Sequence, residues 1–162
     1  MILGLTISQF TTLHVVLSFI GIASGLIALP AFAAGRWMPR TTLLFLATTL
    51  ATTLTGFLFP ITAFTPALGV GMLSTAILAV ALAALYVYGL KGRARPVYAI
   101  SATIGLYLNL FVLIVQAFLK IPALNDLAPD GNEPPFLAAQ GALFLAAILL
   151  GWQATRRRPL AS

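Results

Sequence analysis

The sequence has no cysteine and few charged residues, and both shortages limit what the protein can be. Without cysteine it can form no disulfide, thiolate metal site or iron–sulfur cluster. Charged residues make up 7% of the 162 residues and hydrophobic residues 60%, whereas a soluble domain has about 25% charged residues. The mean hydropathy is +1.05. We therefore expect a single integral-membrane domain over residues 1–162.

The scarcity of acidic residues argues against an enzyme. The chain has three acids, Asp126, Asp130 and Glu133, and none lies in an apolar stretch. It has one histidine, His14, and no Ser/His/Asp or Cys/His set. The net charge of +6 comes from short basic clusters beside apolar segments, a placement typical of membrane topology and not of nucleic-acid binding. We expect neither catalysis nor a metal site.

Five apolar stretches are each near the length of a membrane-spanning helix, which needs about 20 residues. They cover about residues 9–32, 41–59, 66–90, 97–119 and 136–154. The sequence thus predicts an all-α, polytopic transmembrane bundle of five helices. The one long connection, residues 121–135, is rich in proline, so it is predicted to have no regular helix. It either packs over the mouth of the bundle or is a solvated connector.

Basic residues determine the predicted orientation. Eight of the nine fall on one side of the five-helix arrangement: Arg36, Arg40, Lys91, Arg93, Arg95, Arg156, Arg157 and Arg158. The loop with all three acids falls on the other side. Since cytoplasmic loops are enriched in Lys and Arg, the N-terminus is predicted outside and the C-terminus in the cytoplasm. Residues 1–10 contain no Lys or Arg, so the first stretch is predicted to be a retained helix rather than a signal peptide.

Polar and small residues share one face of the first helix. His14, Ser18, Gly21 and Gly25 follow one another at spacings of three or four residues. Gly21 and Gly25 form a small-xxx-small pair, which lets another helix approach closely. Packing within the chain is favoured over packing against a second copy.

Threonines dominate the second helix, which ends near Gly56, another predicted packing position. They are Thr41, Thr42, Thr48, Thr49, Thr52, Thr53 and Thr55. Threonine hydroxyls can donate to carbonyls of their own helix, so we expect these side chains to be satisfied locally rather than to line a water path.

Polar residues of three helices are predicted to meet near the outer surface. Asn109, Gln116 and Lys120 share one face of the fourth helix, which should point into the bundle because an amide facing lipid is costly. Gln140 lies near the outer end of the fifth helix. The predicted topology puts His14, Gln116 and Gln140 at similar depth, with Lys120 and Glu133 above them in position to pair. This cluster is either a structural hydrogen-bond network or a hydrated, outward-facing pocket.

Three segments, together with the helix that carries His14, resemble a group of small, functionally uncharacterised bacterial membrane proteins. They are residues 55–60 (TGFLFP), 106–120 (LYLNLFVLIVQAFLK) and 133–136 (EPPF). The resemblance implies a bacterial inner-membrane location and a similar helical bundle. It implies no activity and no site.

Three functions remain open at this stage. The first is a passive small-solute or ion pathway, or a small-ligand or lipid-binding protein, built on the polar pocket. The second is an accessory or assembly subunit of a larger membrane complex, with the bilayer and either further copies or other subunits as partners. The third is a redox protein that binds haem or quinone through His14, although no cofactor is expected from the sequence.

Overall fold

A computed structural model describes residues 1–60 and 65–156 of the chain. Within these ranges the structure is helical, with no strand beyond one isolated bridge between Ile2 and Leu5. The helices are α1 (Ile7–Ala33), α2 (Pro39–Gly56), α3 (Pro66–Leu82), α4 (Ala94–Lys120), α5 (Pro122–Asn125) and α6 (Pro134–Arg156). A π-helical turn, Ala83–Val87, extends α3.

Residues at the helix starts explain where each helix begins. Thr6 and Gln9 form a capping box at α1: the Gln9 N–H donates to Thr6 Oγ1 at 3.2 Å, and the Thr6 N–H donates to Gln9 Oε1 at 3.0 Å. The Thr65 hydroxyl caps α3 by accepting the Leu68 N–H at 3.2 Å. Helices α2, α3 and α5 have proline at the first helical position, where the missing N–H removes no intrahelical bond.

Four of the described helices are long and apolar enough to cross a membrane: α1, α3 with its π-helical turn, α4 and α6. Helix α2 is not among them. It has 18 residues, and its threonines, together with Arg40 in the first turn, lower its hydropathy.

The helices form a four-helix bundle with one helix packed outside it. Helix α1 packs against α2, α2 against α3, α3 against α4, and α4 back against α1. Helix α6 lies against both α1 and α4. It buries a single residue, Ala154, and is therefore the peripheral helix of the fold.

The hydrophobic core lies at the end of the bundle that carries the basic residues. It joins the C-terminal parts of α1, α3 and α6 to the N-terminal parts of α2 and α4: Leu29, Phe32, Ala33, Phe45, Leu46, Leu78, Ala81, Ala84, Tyr98, Ala99, Ala102, Leu106 and Ala154. Successive long helices thus run in alternating directions. Phe32, Trp37 and Tyr98 meet edge to face, with ring centroids 5.2–6.2 Å apart.

The predicted apolar stretches match α1, α2, α3 with its π-helical turn, α4 and α6, and the boundaries differ by three residues or fewer. The expectation of no regular helix in residues 121–135 is wrong. Pro122–Asn125 forms one helical turn, because proline at a first helical position is compatible with a helix. The Asn125 side chain donates to the Phe118 carbonyl at 3.1 Å and holds this turn against the end of α4.

Candidate functional site

His14 lies half-buried on α1 and faces the C-terminal end of α2. Its Nδ1 is 2.9 Å from Thr55 Oγ1, and its ring packs edge-on against Phe59 with centroids 5.4 Å apart. A Cβ added at Gly56 would lie 3.7 Å from the His14 ring, so the predicted packing position Gly56 does face α1. The ring of Phe10 lies beside Phe59, at 5.1 Å. His14 is therefore part of the α1–α2 contact.

The hydrogen bonds of Thr55 are compatible with one tautomer of a neutral His14, the one with hydrogen on Nδ1. A hydroxyl has one hydrogen, and that of Thr55 donates to backbone carbonyls of its own helix, with Ala51 O at 2.8 Å and Thr52 O at 3.0 Å. In this arrangement Thr55 Oγ1 accepts from His14 Nδ1–H, which leaves Nε2 as the acceptor nitrogen; in the other tautomer Nδ1 would accept the Thr55 hydrogen instead.

A second polar contact joins three helices deeper in the bundle. Asn109 of α4 donates from Nδ2 to Thr49 Oγ1 of α2 at 3.1 Å, and Thr49 is only 1% exposed. A Cβ added at Gly21 of α1 would lie 3.0 Å from the same Thr49 oxygen. Asn109 thus points into the bundle, as its helical face predicts.

The two glutamines have separate surroundings. Gln140 Nε2 of α6 donates to the Phe111 carbonyl of α4 at 3.3 Å, while its Oε1 is buried and has no hydrogen-bond partner among the described residues. Gln116 is exposed on α4. In residues 1–60 and 65–156, no hydrogen bond links either glutamine to His14. The described hydrogen bonds therefore do not join these three residues directly: His14 bonds to α2 and Gln140 to α4.

Glu133 binds backbone N–H groups of its own loop. Its carboxylate accepts from Asp130 N at 3.1 Å and from Asn132 N at 2.9 Å. Desolvation acts to raise the pKa of Glu133, but these hydrogen bonds together outweigh it and lower the pKa below its ordinary value. Lys120 is exposed at the end of α4, and the pairing of Lys120 with Glu133 does not form in the described part of the chain.

Local hydrogen bonds satisfy most hydroxyls on α1 and α2. Ser18 donates to the His14 carbonyl at 2.8 Å, so its hydroxyl hydrogen is used within α1. Thr48 and Thr53 donate to carbonyls of α2, at 2.6 Å and 2.9 Å, which confirms the expected local satisfaction for these residues. Thr52 Oγ1 differs, since it is buried without a partner among the described residues.

The α1 glycines lie close to side chains of neighbouring helices. A Cβ added at Gly25 would lie 2.8 Å from the Phe45 ring of α2 and 2.9 Å from Leu106 Cδ1 of α4. Gly21 and Gly25 therefore lie against other helices of the same chain.

Sequence reasoning missed two parts of this arrangement. It did not single out Thr55 or Thr49 as the partners of His14 and Asn109, because seven threonines on one short helix carry no signal that separates them. It also missed a groove between α4 and α6, lined in part by Thr103 and Gly151.

The described residues contain no group of three or more His, Asp or Glu side chains that could hold a metal ion. No protein-family model, curated protein or solved structure matches the chain.

Proposed function

We propose that this chain is a non-catalytic, five-helix membrane protein that acts as an accessory subunit and associates laterally with other membrane-embedded chains. Its four long apolar helices support the membrane location, and the bacterial inner membrane is the location that the sequence resemblance implies. The alternating helix directions support α2 as a fifth crossing. With α2 crossing, Arg36, Lys91 and Arg156 all lie on the cytoplasmic side and the N-terminus lies outside.

The observation that carries the accessory role is the exposure of Gln116. Its amide lies four residues before Lys120, about 6 Å along the helix axis, on a helix that is otherwise strongly apolar in this region. An amide that faces hydrocarbon is costly, and such residues generally contact protein or water. Since the bundle leaves Gln116 on its surface, a second chain is the natural source of its hydrogen-bond partner.

The contacts favour association over the outward-facing pocket or pathway predicted from the sequence. That pocket requires His14, Gln116 and Gln140 to converge, whereas His14 is bonded to Thr55 and Gln140 to the Phe111 carbonyl. Polar groups that hydrogen-bond to each other inside the bundle hold its helices together. Binding of a partner chain would then take place at the exposed surface.

Site-specific photocrosslinking in native membranes tests this proposal. A photoreactive amino acid at position 116 is compared with one at Met72 of α3, which is 58% exposed at a similar distance from the same end of the bundle. We expect a discrete protein adduct from position 116 and only lipid adducts from position 72. The adduct mass distinguishes a second copy from another subunit. Lipid adducts alone at both positions would refute the accessory role.

The contact between His14 Nδ1 and Thr55 favours a second candidate, the binding of haem or quinone. With Nδ1–H donated to Thr55, Nε2 has a free lone pair of the kind that ligates iron or accepts a quinol hydroxyl, and the Thr55 bond would orient the ring. An absorption spectrum of protein purified from its native membrane tests haem directly. A Soret band that disappears in His14→Leu would establish haem binding by His14. A spectrum without a Soret band would show that the protein does not bind haem.

A further inference from the structure

An apolar groove runs between α4 and α6 toward the basic end of the bundle. Its volume is about 260 Å³, and its walls include Ile100, Ile104 and Tyr107 of α4 and Phe144, Ile148 and Trp152 of α6. Along α6 these residues span eight positions, about 12 Å. Pockets for drug-sized ligands range from about 300 to 1,000 Å³, so this groove suits a thin apolar chain better than a compact ligand.

A cation lies directly at one end of this groove. The Arg156 guanidinium stacks on the Trp152 ring, with Cζ 4.0 Å from the ring centroid, and Trp152 lines the groove. The sequence continues with two more arginines, so positive charge is concentrated where α6 ends. No acidic residue lies at this end, since all three acids are in residues 126–133. The groove therefore combines an apolar channel with a site suited to an anion.

One polar residue, Thr103, lies in the groove wall. Thr103 is 5% exposed, and its Oγ1 has no hydrogen-bond partner among the described residues. Thr103 is level with Gly151, since a Cβ at Gly151 would lie 3.7 Å from its methyl group. The Thr103 methyl group therefore faces α6 while its hydroxyl oxygen is buried, so the wall of the groove is apolar at this level.

We propose that this groove binds one anionic phospholipid, with the phosphate at Arg156 and an acyl chain between α4 and α6. The occupant is a lipid and not a transmembrane helix, because a groove of this volume is too narrow for a helix of about 10 Å diameter. This site does not depend on the proposed lateral association, which involves Gln116 toward the other end of α4.

Trp152 provides the measurement, because the chain has only two tryptophans. A Trp37→Phe variant leaves Trp152 as the single fluorophore in the groove. It is reconstituted in zwitterionic vesicles that contain a minor fraction of brominated anionic phospholipid, and in matched vesicles where the zwitterionic lipid is brominated instead. We expect about fivefold preferential quenching by the anionic lipid, the effect of one arginine at about 1 kcal/mol.

Two pairs of variants in this background test charge and groove separately. Arg156→Gln should lower the preference, whereas Arg40→Gln, an exposed arginine at the start of α2, should retain it. Ala147→Phe fills the groove and should remove the preference, whereas Ala146→Phe, on the next residue outside the groove, should not. Equal quenching by both lipids would overturn the proposal. So would a preference that survives Ala147→Phe in folded protein, because charge alone would then explain it.

Discussion

The α1–α2 and α4–α6 interfaces use the same residue types and pack very differently. Against α1, the glycines allow close contact: a Cβ at Gly25 would overlap the Phe45 ring at 2.8 Å. On α6, Gly151 would make only ordinary contact at 3.7 Å, and Gly141 has no atom within 4 Å of its Cβ position. Helix α1 is embedded in the bundle, whereas α6 buries only Ala154. Small residues thus permit close approach, but a large side chain on the partner must fill the space.

The largest expected effect comes from adding one methyl group to the tight interface. Gly25→Ala should lower the free energy of unfolding by about 1–3 kcal/mol, because the new Cβ meets both Phe45 and Leu106. Gly141→Ala should raise it by up to about 1 kcal/mol, since alanine is the better helix former and has open space there. Thermal unfolding of both variants in one detergent measures the difference. Equal melting temperatures would contradict the contrast between the interfaces.

Polar contacts in the two regions should also differ in how much they contribute to stability. Asn109→Leu removes a hydrogen bond to buried Thr49 and should cost about 0.6–2 kcal/mol. Gln140→Leu removes a long bond of 3.3 Å together with a buried, unsatisfied oxygen, so its effect on stability should be within about 0.5 kcal/mol. The same unfolding measurement compares them. A larger loss of stability from Gln140→Leu than from Asn109→Leu would contradict this difference between the α4–α6 contact and the Asn109–Thr49 contact.

A double-mutant cycle measures the His14 contact on the tight interface. His14→Leu and Thr55→Val should couple by about 0.6 kcal/mol, the average for a hydrogen bond between membrane helices. Ser18 is the matched control, because it bonds to its own helix, and Ser18→Ala combined with Thr55→Val should be additive. Absence of coupling between His14 and Thr55 would remove the structural role of this contact.

The smallest expected effect lies outside both interfaces, in the loop that precedes α6. The native pKa of Glu133 is lowered, so its stabilisation of the loop is present above the unfolded pKa and is lost as the pH falls through the native pKa. Amide hydrogen exchange at Asp130 and Asn132, corrected for its intrinsic pH dependence, should lose protection over that interval. In the Glu133→Gln variant this protection should be lost at all pH values, while the Asp126→Asn variant should behave as the unmodified protein.

Asn109 and Gln116 show how much helical periodicity can predict about the position of a side chain. Both residues share one face at a spacing of seven, and the sequence assigns that face to the interior. Asn109 does reach Thr49, but Gln116 is exposed. The two differ because the tight core lies at the basic end of the bundle, and the buried residues of α4 become sparse beyond Leu108. Helical periodicity gives the direction of a side chain and not the distance to the next helix.

The sequence by itself determined the helical class, the five apolar segments and the clustering of basic residues, because these depend on composition and local spacing along one chain. It also determined that Gly21 and Gly25 share a face. Only the tertiary structure decided that His14 pairs with Thr55, that Gln140 bonds to the α4 backbone, and that α6 leaves a groove beside Thr103. These outcomes depend on the rotation and depth of each helix against its neighbours. Helix rotation is set by the summed packing of many side chains, which no single motif encodes.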